Sequence, residues 1–110
     1  MAIEHARPGQ LIDIGPYGDT FTDQQTHTVV KTSEIEIIRL VLPKGKDIAT
    51  HSAPRQLIVQ CLEGHVQFST MGNELTLRPG SLFYLPPGEP HSLRAIEDSS
   101  LLLTMLLPKK

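Results

Sequence analysis

What most restricts this chain is its punctuation. From His27 onward, short apolar stretches recur between turn-forming residues: His27–Thr32, Glu34–Leu42, Gln56–Glu63, His65–Thr70, Glu74–Arg78, Ser81–Leu85, His91–Glu97 and Leu101–Leu107. The separators are Lys44-Gly45, Gly64, Met71-Gly72-Asn73, Pro79-Gly80, Pro86-Pro87-Gly88 and Asp98-Ser99-Ser100. Glycine enters left-handed backbone freely and proline cannot donate to a ladder, so each separator ends a strand and turns the chain. Runs this short at this spacing indicate an all-β sandwich or barrel.

One stretch invites a helical reading, because Ser33-Glu34-Ile35-Glu36 resembles a capping box and Ile35, Ile38 and Leu42 fit a helical stripe. Its β-branched Ile35, Ile37, Ile38 and Val41, and the alternation of Glu34 and Glu36 with Ile35 and Ile37, favour a strand. In Leu57-Ile58-Val59-Gln60-Cys61-Leu62 both faces are apolar: Gln56, Ile58, Gln60 and Leu62 face one way, Leu57, Val59 and Cys61 the other. Leu82-Phe83-Tyr84-Leu85 and Leu101 to Leu107 share this two-sided character. A second copy of the chain is expected to cover the outer side, giving a homodimer; the alternative cover is the other sheet or the N-terminal arm.

At 110 residues the chain forms one hydrophobic core. Residues 1–26 are irregular, with turn signals at Pro8-Gly9, Gly15-Pro16 and Tyr17-Gly18-Asp19, and read as an N-terminal arm ahead of a barrel domain at 27–110. A formal charge of -2 and no basic cluster offer phosphates nothing to condense on, so nucleic acid is not an expected partner. The apolar run from Leu101 to Leu107 falls far short of the ~20 residues a spanning helix needs, so no membrane partner is expected. Cys61 alone forms no intrachain disulfide, and the start lacks the basic and apolar segments of a secretion signal, so a cytoplasmic location is expected.

Gly45 is followed after five residues by His51, and Gly64 closes the next strand. Gly80, Pro86, Gly88 and His91 then follow one another at fixed spacing. In these residues the chain resembles the cupin superfamily of small RmlC-like barrels. The resemblance implies a single-domain double-stranded β-helix, or jelly roll, with little helix and a metal or substrate site at the mouth. Ala53 stands where the family has its second motif histidine, Leu57 where it has glutamate and Ala95 where it has asparagine. The ligand set it implies is therefore His51 and His91, with Gln56, one position out of register, offering an amide oxygen in place of a carboxylate. His27 is a further candidate. The expected cofactor is a divalent transition metal (iron, zinc, nickel or manganese), and a metal-free pocket with a hydrogen-bonded His–Gln cluster stays open beside it.

The other polar residues carry more ordinary expectations. His65 alternates with Val66 and Phe68 and should point outward. Arg55, beside the mouth, either pairs with an anionic ligand or is a solvated rim charge. Tyr84 reads as packing between Phe83 and Leu85, and Cys61 as a buried, inert thiol. Two functions follow: a metal-dependent dioxygenase, isomerase or decarboxylase acting on a small polar molecule, or a non-catalytic barrel that binds or senses a small molecule without metal.

Overall fold

The computed structural model describes residues 4–107. It contains a short 3₁₀ turn at Gly18–Asp23 and the strands β1 (His27–Lys31), β2 (Ile35–Leu42), β3 (Asp47–His51), β4 (Gln56–Glu63), β5 (Val66–Thr70), β6 (Asn73–Leu77), β7 (Leu82–Leu85), β8 (His91–Ala95) and β9 (Ser99–Leu106). They form two antiparallel sheets, ordered β1-β2-β9-β4-β7 and β3-β8-β5-β6. This is the all-β, two-sheet architecture that the turn spacing implied, in the jelly-roll form that the family resemblance implied. No helix among the described residues is long and apolar enough to cross a membrane.

Two boundaries depart from expectation. Asp47–His51 is a strand, although only Ile48 in it is a large apolar residue; it lies at a sheet edge, where one-sided exposure erases the apolar signal. Ser99 and Ser100, which the sequence marks as a separator, begin β9 and are fully buried.

The core sits between the sheets. Leu42, Leu57, Val59, Cys61, Leu85 and Leu101 come from the first, and Val66, Phe68, Leu77, Leu93 and Ala95 from the second. In β4 the residues Leu57, Val59 and Cys61 point inward, as their parity requires. Register carries that parity across the sheet: Leu57 pairs with Met105 and Met105 with Glu36, so these three share one inward-facing row. Glu36 is thus an interior-facing carboxylate at one end of the barrel, not part of a wet face shared with Glu34.

Bulges re-aim particular side chains. Between Cys61 and Glu63 β4 has one more residue than β9, which turns Glu63 to the outer face beside Arg39. There Arg39 Nη2 donates to Glu63 Oε2 at 3.1 Å, Gly15 O at 2.7 Å and Ser100 Oγ at 3.1 Å. Tyr17 N–H donates to Glu63 Oε1 at 3.0 Å, and the Tyr17 ring lies 3.7 Å from the Arg39 guanidinium carbon. The arm therefore covers this end of the outer face, with Phe21 buried. Leu82, at the β7 edge of the row that holds Arg39, and Tyr84 and Leu106 farther along the sheet stay exposed at 58%, 52% and 40%.

Candidate functional site

His51 and His91 are brought together by strand pairing. His91 shares its inward parity with Leu93 and Ala95 on β8. On β3, Ile48 pairs with Leu93 and His51 with His91, so Ala49 and Thr50 of β3 stand against Ser92 alone on β8. That extra residue lets Ile48 and His51 both face the interior although their separation is odd. The rings stand 4.3 Å apart, centroid to centroid, at 61°. Behind them Phe68 stacks on His91 at 5.5 Å and 13°, and Phe83 packs edge-on against Phe68 at 4.7 Å.

Pro86-Pro87-Gly88 aims His91, with Gly88 N–H donating to Ala53 O at 2.8 Å and tying this bend to the residues after β3. Each imidazole is then locked from behind. His51 Nδ1 lies 3.0 Å from Ala49 O, and His91 Nδ1 lies 3.0 Å from Glu89 O. A carbonyl can only accept, so each Nδ1 carries the proton and each neutral ring keeps its lone pair on Nε2. Two acceptors on neighbouring rings call for a donor or a cation between or beside them.

The pair opens on a cavity of ≈ 160 Å³ lined by Leu40, Ile48, Leu57, Phe68, Leu93 and Leu103 as well as the histidines. His91 is buried and His51 exposed, so the cavity is reached past His51. Apart from the two rings its wall is hydrocarbon.

Gln56 does not join them. It lies on the opposite face of β4 from Leu57, and its Oε1 accepts from Tyr84 Oη at 3.0 Å on the outside of the barrel. The alternation in β4 already contained this result. Leu57, standing where the family resemblance implies a carboxylate, does line the cavity. His27 is in β1, across from outward-facing Arg39, with Nδ1 against Gln25 O at 2.9 Å. His65 is less exposed than its parity suggested: its side chain is 16% exposed, 3.9 Å from Glu97 Oε2, with Nε2 buried and unpartnered.

A resident metal would therefore find two imidazoles. Among the described residues no third His, Cys, Asp or Glu completes a cluster with them. Catalytic zinc uses three protein ligands, and oxygenase iron two His and a carboxylate, so the donor set does not fit either centre. Cys61, inside the core, is held as a thiol because burial pushes its pKa up, with Sγ 3.5 Å from Glu63 O.

The comparisons with known proteins accord with this fold. A family model described as Cupin domain matches residues 38–107. No curated protein matches the chain. Among solved structures, a conserved protein of unknown function from Streptococcus pyogenes is 25% identical, with TM-score 0.77, covering 100% of this chain and 97% of that one. An RmlC-like cupin from Shewanella frigidimarina is 18% identical, with TM-score 0.72, covering 77% of each chain. The DMSP lyase DddQ from Ruegeria pomeroyi is 20% identical, with TM-score 0.68, covering 86% of this chain and 52% of that one.

Proposed function

We propose that this chain, which belongs to the cupin family, is a small-molecule-binding barrel whose recognition centre is the His51–His91 pair. The ligand is held by hydrogen bonds to the two Nε2 atoms and by apolar contact with Leu57, Phe68 and Leu103, without a resident metal. The observation that carries this reading is the pairing of two back-locked imidazoles with hydrocarbon at every other wall position. Such a site can accept a ligand hydroxyl or amine proton, while a metal held there would lack a carboxylate to offset its charge.

A metal-dependent dioxygenase, isomerase or decarboxylase is the second reading. It is favoured by the Nδ1 contacts, since metal-ligating histidines are oriented in the same way, by donating the other ring N–H to a carbonyl. Elemental analysis of protein purified without added metal separates the two. The first reading expects well under one equivalent, unchanged in His51→Ala and His91→Ala. Stoichiometric iron, zinc, nickel or manganese lost in both variants would establish the second.

We further infer that the chain pairs with a second copy through the outer face of the β1-β2-β9-β4-β7 sheet. Leu82, Tyr84 and Leu106 are exposed there beside half-buried Ile35 and Ile58, while the arm's contacts gather on Arg39 and Glu63. A two-fold axis would bring this uncharged apolar patch against itself, with no complementary partner surface required.

A further inference from the structure

We propose that the ligand of the His51–His91 cavity is a small neutral molecule with two neighbouring hydroxyl groups on a compact apolar body, one O–H donating to each imidazole. This rests on the reading of the cavity given above and names its ligand class.

The two rings set the polar end. With each Nδ1 bonded to a backbone carbonyl, at 3.0 Å in both cases, each Nε2 offers one lone pair and no proton. His91 is 6% exposed, yet its Nε2 is not sealed off as the buried Nε2 of His65 is; it meets open space, and the open space that His91 borders is the cavity. With the ring centroids 4.3 Å apart, one small molecule can serve both acceptors. A ligand with a single donor leaves the second acceptor against hydrocarbon, and a buried acceptor without a partner costs more than an ordinary hydrogen bond contributes. Two donors side by side meet both.

The walls set the charge. Leu40, Ile48, Leu57, Phe68, Leu93 and Leu103 complete the cavity, so only the histidines can answer a polar group. At the barrel mouth Arg55 Nη1 and Glu36 Oε1 face each other at 3.6 Å, and neither residue lines the cavity. An ammonium has donors enough but would be buried without a counter-charge, and a carboxylate at neutral pH has no proton to donate. A primary amide brings two N–H groups together with a carbonyl that no wall group can satisfy. In a vicinal diol each hydroxyl spends its one proton on an imidazole, and no polar atom is left without a partner.

Volume limits the body. A dry apolar cavity of about 150 Å³ accepts benzene, and this one measures ≈ 160 Å³. A six-carbon ring suits it, whereas a sugar carries hydroxyls on every side and would press them against leucine.

The test dialyses the full chain against a chelator, then titrates it with cis-1,2-cyclohexanediol, its 1,4-isomer, cyclohexanol and methyl glucoside, following the ring signals of His51 and His91 by NMR. The 1,2-diol is expected to bind about fivefold or more tightly than the 1,4-diol or cyclohexanol, the effect of one additional satisfied acceptor, and methyl glucoside is expected not to bind. In His51→Phe, which keeps a ring but removes one acceptor, the advantage over cyclohexanol should vanish. Equal binding of the two diols, an advantage that survives His51→Phe, methyl glucoside binding as tightly as the 1,2-diol, or a preference that appears only when iron or zinc is added back would overturn the proposal. Should His51→Phe not fold, the ratio of the two diols in the parent decides. Cyclohexanol binding as tightly as the 1,2-diol leaves the cavity reading standing while this one falls; no response to any compound removes both.

Discussion

Gly64 offers a sharp test of how the barrel is closed. It leaves β4 at φ +89°, and a Cβ built there meets Ser99 Oγ and Asp98 O, with Ser99 Cα at 2.6 Å. Gly80 has nearly the same φ, +92°, yet a Cβ there meets nothing within 4 Å. Gly80→Ala should therefore cost only the left-handed backbone, about 1–2 kcal/mol, offset by roughly 0.4–1 kcal/mol from the stiffer unfolded chain. Gly64→Ala carries the same backbone cost plus a collision with backbone atoms that cannot rotate away, worth about 1–3 kcal/mol. It also displaces Ser99 Oγ, which accepts from His65 N–H at 2.9 Å and donates to Glu97 O at 2.7 Å. Breaking such buried bonds adds about 1–3 kcal/mol. The expected total is about 2–8 kcal/mol, a large part of the ~5–15 kcal/mol that holds a typical domain together. Urea melts followed by far-ultraviolet circular dichroism would measure both variants. A Gly64→Ala protein within about 1 kcal/mol of Gly80→Ala would refute the claim that close approach, rather than dihedral angle alone, demands glycine here.

Other perturbations have defined outcomes. Burial raises the pKa of both Cys61 and Tyr17, so each keeps its proton in the folded state at pH values where the unfolded chain has lost it. Stability should be full below their ordinary values of 9.0 and 10.0 and fall as pH rises beyond them; Cys61→Val should flatten the early part of that fall, and urea midpoints from pH 7 to 10.5 that stay level in the parent would contradict it. Glu63→Gln leaves Arg39 buried without its counter-charge and should cost about 3 kcal/mol, with faster amide exchange at Tyr17; unchanged exchange would show that the arm is held by other contacts. Light scattering should give twice the 12.2 kDa chain mass for the parent and a monomer for Leu82→Asp, whereas a monomeric parent at micromolar concentration would remove the pairing proposal.

Much of the fold was legible because turn residues and parity are local signals. β4 begins and ends where its composition changes, at Gln56 and Glu63, and its buried set is the alternating one. β3 was not legible: an edge strand with a largely exposed Asp-Ile-Ala-Thr-His sequence has no apolar period to read. The site divides the same way. His51 and His91 stand in recognisable spacings, but their proximity depends on a bulge that only the β3–β8 register displays. Gln56, expected from the sequence as a third ligand, lies instead on the outer face of β4, opposite Leu57, bonded to Tyr84. Glu36 was concealed because Ile35 and Ile37 looked like the buried face, whereas the inward set of β2 is Glu36, Ile38, Leu40 and Leu42. The change along one face from the half-buried Glu36 carboxylate to fully buried Leu42 marks where the mouth gives way to the interior.

The edge position of β3 ties the chemistry of the cavity to local dynamics. Half of the histidine pair rides on an edge strand whose ladder runs to β8 alone. Edge strands are among the first segments to detach in native fluctuations. Each detachment would carry His51 off while His91, stacked on Phe68, stays in place. The wall that recognises a ligand is then also a door, and a molecule bridging both imidazoles acts as its latch, slowing amide exchange from Asp47 to His51 more than anywhere in the opposite sheet.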